Sequence, residues 1–122
     1  MSDTVRVLIV DDLEDAAQAL AELLELNGYQ AQVARSGEQA LELARSFAPH
    51  CVLLDIGMPG MDGLELARRL RQKHGNDIVL IAVTGGSMTQ PAVAETFAVV
   101  DHYLMKPVDV DRLNKVLPKL PG

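Results

Sequence analysis

Four apolar runs in this 122-residue sequence each stop at a polar residue that can do chemistry. Val5–Val10 (VRVLIV) stops at Asp11-Asp12, His50–Leu54 at Asp55, Ile78–Val83 at Thr84 and His102–Met105 at Lys106. Three carboxylates brought within a few ångströms repel one another, and some stay protonated unless a cation intervenes. A hard divalent ion answers this, because Mg²⁺ prefers oxygen ligands and is usually held by one or two carboxylates with waters and phosphate. Lys106 adds a compact point charge suited to a phosphate oxygen, and Thr84 adds a hydroxyl. Such a set, if it converges, can take a phosphoryl group onto a carboxylate. The protein's part in that chemistry is mainly to position groups and stabilise charge.

Convergence depends on the elements around these residues. The run Val5–Val10 reads as a buried strand. Leu13, Ala16, Leu20, Leu23 and Leu24 follow at helical spacing, with Gly28 where a helix C-cap belongs. Gln30–Ala34 is a weaker second strand. Ser36 and Gln39 form a capping box for a helix carrying Ala40, Leu41, Ala44 and Phe47. The third strand is His50–Leu54, and Asp62 with Glu65 opens a helix running to about Lys73, stopped at Gly75. Ile78–Val83 is the fourth strand, closed by Thr84. Gly85-Gly86-Ser87 reads as a loop, and Pro91 suits the first turn of a short helix over Pro91–Ala98. His102–Met105 is the fifth strand. Asp109 caps a last helix with Val110, Leu113 and Leu117 on its buried face, ended by Pro118 and Pro121.

Five strands alternating with five helices predict a doubly wound α/β fold, a parallel sheet covered by helices on both faces. Its crossovers are right-handed. In the common order 2-1-3-4-5, strands one and three are neighbours. Ligands of such sheets bind outside the carboxyl ends of the strands, where the order reverses. The polar stops all lie at that edge.

With these motifs in place, the chain resembles the receiver domains of two-component response regulators, typified by the chemotaxis protein CheY. The matching segments are IVDDLED at 9–15, LLDIGMPGMDG at 53–63, IAVTGG at 81–86 and HYLMKPVD at 102–109, in the family's order and spacing. CheY is itself a standard example of the 2-1-3-4-5, flavodoxin-like order. The resemblance implies that Asp55 accepts phosphate from a phosphohistidine on a histidine kinase or histidine phosphotransfer domain. It implies Mg²⁺ held directly by Asp12, Asp55 and the Gly57 carbonyl, with Asp11 acting more through water. Lys106 and Thr84 would bind phosphoryl oxygens, and Thr84 with Tyr103 would convey the charge to the face of the fourth helix, fifth strand and fifth helix. It also implies a cis bond between Lys106 and Pro107. Gly57 and Gly85 are small where the family varies, leaving a phosphoryl group accessible to water or imidazole. Val99-Val100 replaces the glycine commonly found before the last strand.

Each residue has a plainer reading beside the chemical one. Asp11-Asp12 can start a helix, because acids suit helix N-termini. Asp55 can precede a turn built by GMPGMDG. Tyr103 serves equally as a half-buried packing residue. Cys51 fits the interior of strand three, and the histidines show no metal-ligand spacing. Arg68-Arg69-Leu70-Arg71-Gln72-Lys73 reads as a solvated helix end complementing the dipole.

Composition narrows the classes. Eleven basic against seventeen acidic residues give a formal charge of −6, which disfavours direct nucleic-acid or anionic-membrane binding. One cysteine fits a reducing cytoplasm, and no signal peptide or run long enough to span a bilayer is evident. The expectation is a single receiver domain over residues 1–122 without an output domain. It would act as a signalling module, not an enzyme, catalysing only its own phosphoryl uptake and loss. Its partners would be a phosphohistidine donor and a downstream protein target, with the chain a monomer or a phosphorylation-dependent dimer. The alternative is a small phosphohydrolase with an aspartate nucleophile. That pattern wants an Asp two residues after the nucleophile, and here Leu13 follows Asp11-Asp12.

Overall fold

A computed structural model describes residues 4–55, 63–84, 99–105 and 108–117. Its strands are β1 (Arg6–Val10), β2 (Gln30–Ala34), β3 (Cys51–Asp55), β4 (Val79–Thr84) and β5 (His102–Met105). They form one parallel sheet in the order β2-β1-β3-β4-β5, as the alternation of elements predicts. Between them run α1 (Glu14–Leu26), α2 (Gly37–Ser46), α3 (Gly63–His74) and a C-terminal helix (Val110–Val116). The helix expected over Pro91–Ala98 and the Asp62 cap lie outside the described residues.

The alternation of side chains along each strand divides the interior into two layers. Val7, Ile9, Cys51, Leu53, Ile81, Val83 and Leu104 face α1 and the C-terminal helix. Leu8, Val10, Val52, Leu54 and Leu80 face α2 and α3. Because both faces are covered, β1 and β3 are apolar at nearly every position and their residues are buried almost without exception.

Two strands run one residue beyond expectation. Asp55 pairs with Val83 and Thr84 with Met105, so each polar stop is the last rung of its ladder. A polar side chain does not end pairing while a neighbouring strand still offers partners for the backbone N–H and C=O.

The helix ends explain how the strands are delivered. Gly28 adopts φ 92°, Gly28 N–H donates to Glu25 O at 3.1 Å and Tyr29 N–H to Leu24 O at 3.0 Å. This is a Schellman closure, and it turns the chain directly into β2. Ser36 Oγ accepts from Gln39 N–H at 3.1 Å, while Gln39 Oε1 accepts from Arg35 N–H at 2.8 Å, one residue before the expected N-cap partner. Asp109 Oδ1 accepts from Asp111 N–H at 2.9 Å and caps the last helix. Tyr29 Oη donates to Asn114 Oδ1 at 2.6 Å, tying that helix to the turn after α1.

The buried stripe of α1 meets the expected spacing in part, at Leu24 and the half-buried Leu20. Ala17, Ala21 and Leu24 face the sheet, whereas Leu13 is 58% exposed and Leu23 is 43% exposed. Two alanines at the contact let the helix lie close to the strands, and the leucines are turned to the adjoining stripe.

Candidate functional site

β1, β3 and β4 end side by side, so the polar residues that close them share one edge of the sheet. Period-two alternation continues through the strand ends. Asp11 follows Ile9 and Asp55 follows Leu53 on the α1 side. Asp11 is 8% exposed and Asp55 6% exposed, and both line one cavity of about 530 Å³. Its lining includes Ile9, Leu53 and Val83 of the strands, Ala16, Leu20 and Leu23 of α1, and Val108.

Asp11 and Asp12 are adjacent in sequence and differ in surroundings. Asp11 is turned inward, and its Oδ1 accepts from Leu13 N–H at 3.0 Å. That bond occupies one carboxylate oxygen at the start of α1, where the N-cap residue Leu13 has no side chain to offer. Asp12 is exposed. Among the described residues, no three His, Cys, Asp or Glu side chains come together as a group that could hold one metal ion. Adjacent strand ends bring the backbones of Asp11 and Asp55 together at one edge. The two buried carboxylates still make a hard oxygen donor set of the size Mg²⁺ uses, one or two carboxylates with the rest from water and phosphate.

Thr84 is 5% exposed at the end of β4. Ala82 pairs with Tyr103 and Thr84 with Met105, so Thr84 and Tyr103 lie on the same face of the sheet, one step apart on neighbouring strands. That face is opposite the one taken by Asp55. Tyr103 is half-buried on the edge strand. Gly57, Gly85, Lys106 and Pro107 lie outside the described residues, as does the bond between Lys106 and Pro107.

Cys51 is fully buried at the start of β3, at the other end of the strand from Asp55, and burial pushes its thiol well above the usual range. It is an interior residue without thiolate character. His50, just before β3, accepts from Arg6 N–H through Nδ1 at 2.9 Å. Burial, then the nearby Arg6 guanidinium, lowers its pKa below the ordinary 6.5.

The basic run in α3 is not uniformly solvated. Arg68 and Arg69 are exposed, but Arg71 turns back over the end of the helix and pairs with Asp101 at 2.8 Å. Nothing local in the sequence marks that pair, because its members lie on separate elements. Burial pushes the Asp101 carboxylate up, but the hydrogen bonds from Arg71 and Leu80 N–H, with the charges of Arg71 and His102, together hold it below its usual range.

Comparison with known proteins gives one consistent answer. Residues 7–118 match the response regulator receiver domain model. The response regulator MprA of Mycolicibacterium vanbaalenii is 38% identical over 109 residues, covering 89% of this chain and 47% of that protein. The chain thus spans about half the length of the curated relative it matches. A CheY-like receiver domain from Methylobacillus flagellatus superposes with a TM-score of 0.80 at 31% identity, covering 93% of this chain and 95% of that one. The response regulator TrrA of Thermotoga maritima, in complex with Mg²⁺-BeF, gives 0.79 at 34% identity, covering 92% and 95%. Among the described residues, no helix is long and apolar enough to cross a membrane. With the sheet order, the strand-end aspartates and these matches in agreement, the chain belongs to the response regulator receiver domains of two-component signalling.

Proposed function

We propose that Asp55 is the phosphoacceptor of this receiver domain. The observation that carries the reading is the pair of buried carboxylates, Asp11 and Asp55, at the ends of adjacent strands and lining one cavity. One Asp55 oxygen attacks the phosphorus of a phosphohistidine, forming an O–P bond as the N–P bond breaks and the imidazole leaves. Bound Mg²⁺ would offset the charge on the carboxylates and the phosphoryl oxygens. Asp12 and Asp55 would hold it directly, Gly57 through its carbonyl and Asp11 more through water. Lys106 and Thr84 take the phosphoryl oxygens, as a point charge and a hydroxyl. The TrrA complex with Mg²⁺-BeF supports this reading by similarity.

Thr84 and Tyr103 share a sheet face, which supports their working together as the switch. The message then leaves through the edge strand and its flanking helices to a downstream protein. The phosphohistidine donor, a histidine kinase or phosphotransfer domain, approaches along α1. There Leu13 and Leu23 are exposed beside the cavity, and Glu14, Asp15, Glu22 and Glu25 form an acidic margin. An apolar partner face with basic edges complements that surface.

The test is intact-mass spectrometry after incubation with acetyl phosphate and Mg²⁺, with chelated and Asp55→Asn controls. One phosphoryl group should be gained, dependent on both the metal and Asp55. Uptake by Asp55→Asn at the parent level would place the acceptor elsewhere.

A further inference from the structure

Among the described residues, β5 is a four-residue edge strand paired with β4 alone. A short edge strand has little of its own to fix its register, and a slip of one residue would carry Tyr103 to the opposite face. The residues just before the strand supply what the ladder lacks. Asp101 N–H donates to Leu80 O at 2.8 Å, and Leu80 N–H donates to Asp101 Oδ2 at 2.9 Å. Both main-chain groups of Leu80 are thereby held by one residue.

Arg71 holds that residue in turn. Its Nη2 donates to Asp101 Oδ2 at 2.8 Å and to Val99 O at 3.0 Å, and Nε donates to Val99 O at 3.3 Å. Nη1 donates to Gly75 O at 2.8 Å and to Ile78 O at 3.2 Å. These five bonds match the five N–H donors of a guanidinium. One side chain joins the end of α3, the turn before β4 and the segment leading into β5. Val99 and Val100, where the family commonly has glycine, are half-buried against the α2–α3 layer, so the clamp grips a segment that is also packed.

We infer that Arg71 is a positioning residue for the signalling edge. Through Asp101 it sets the register of β5 on β4, and so the face and height at which Tyr103 stands relative to Thr84. The register itself is independent of phosphorylation; its consequence for switching rests on the proposed function.

Amide hydrogen exchange on the full chain tests the register. In Arg71→Ala and Asp101→Ala, exchange at Leu80 and along β5 should rise about tenfold or more beyond any change at the β1 amides, the loss expected for a hydrogen bond to a charged acceptor. Arg71→Lys should behave like Arg71→Ala, because an ammonium cannot span four acceptors. Asp101→Asn keeps an oxygen for Leu80 N–H and should stay near the parent. Equal acceleration in β1 and β5 would mean that Arg71 serves only overall stability, and would overturn the inference. Beryllium fluoride with Mg²⁺ tests the consequence by NMR. Shifts at the Thr84 amide in both parent and Arg71→Ala, with the Tyr103 ring responding only in the parent, support it; equal Tyr103 responses overturn it. Silence at both residues in the parent would instead overturn the phosphoacceptor reading and leave the exchange result standing.

Discussion

Lowering the pH should weaken this domain at His50 in a way one substitution can isolate. The imidazole accepts from Arg6 N–H through Nδ1 at 2.9 Å, so Nδ1 carries no proton in the folded chain. His50 N–H donates to Arg6 O at 2.9 Å, and Val79 N–H donates to His50 O at 2.9 Å. Arg6 Nε meanwhile bonds Ala48 O at 2.9 Å, which fixes a guanidinium close to the ring. Protonating Nδ1 removes the acceptor and sets a second cation beside Arg6. Burial and Arg6 therefore depress the folded pKa below the ordinary 6.5. The unfolded chain then binds more protons than the folded one below that value, so stability rises with pH. It is fully present above the unfolded pKa and is lost as the pH falls from there through the folded pKa. The hydrogen bond sets the scale, about 0.5–1.5 kcal/mol. A loss of about 1 kcal/mol moves a urea midpoint by about 0.3–1 M for a domain of this size. The assay is urea unfolding at about pH 7.5 and pH 5, comparing the parent with His50→Asn, whose Oδ1 replaces Nδ1 as acceptor and does not titrate. Other titrating groups are common to both chains, so the difference in their pH dependence belongs to His50. Parallel pH profiles for the two would refute the reasoning.

Two further substitutions probe the frame around the site. Tyr29→Phe removes the 2.6 Å bond to Asn114 and should cost about 1 kcal/mol, a fall in Tm of about 3–5 °C. If Asn114→Ala costs the same with and without the phenol in a double-mutant cycle, the two groups are not coupled. Ser36→Ala deletes the cap accepted from Gln39 N–H and should lower stability by about 1 kcal/mol, with Ser36→Gly costing less. Equal losses for Ala and Gly would point away from capping.

The strand ends were legible because one rule governs them. An apolar run covered on both faces must break where the sheet meets solvent, and Asp11, Asp55, Thr84 and Lys106 stand at those breaks. Capping residues were equally readable: Ser36, Asp109 and Gly28 act within a few residues of themselves. On α1 the helical spacing of Leu13, Ala16, Leu20, Leu23 and Leu24 meets the buried stripe of Ala17, Ala21 and Leu24 only at Leu24, because both sets satisfy the same period. Periodicity gives the width of an apolar face, and the rotation of the helix on the sheet depends on how closely small residues allow it to approach.

Chain order alone thus determined the fold class and the sheet edge at which Asp11, Asp55 and Thr84 stand, because each rests on local pattern and on the chirality of crossovers. Tertiary structure alone decided that Asp11 turns inward while its neighbour Asp12 faces solvent. It alone decided that Thr84 and Tyr103 share a face, and that Arg71 leaves its basic run to grip Asp101. Those outcomes depend on which groups meet across tens of residues. Hydrogen bonds form wherever packing brings a donor to an unsatisfied acceptor, and no sequence spacing encodes that meeting.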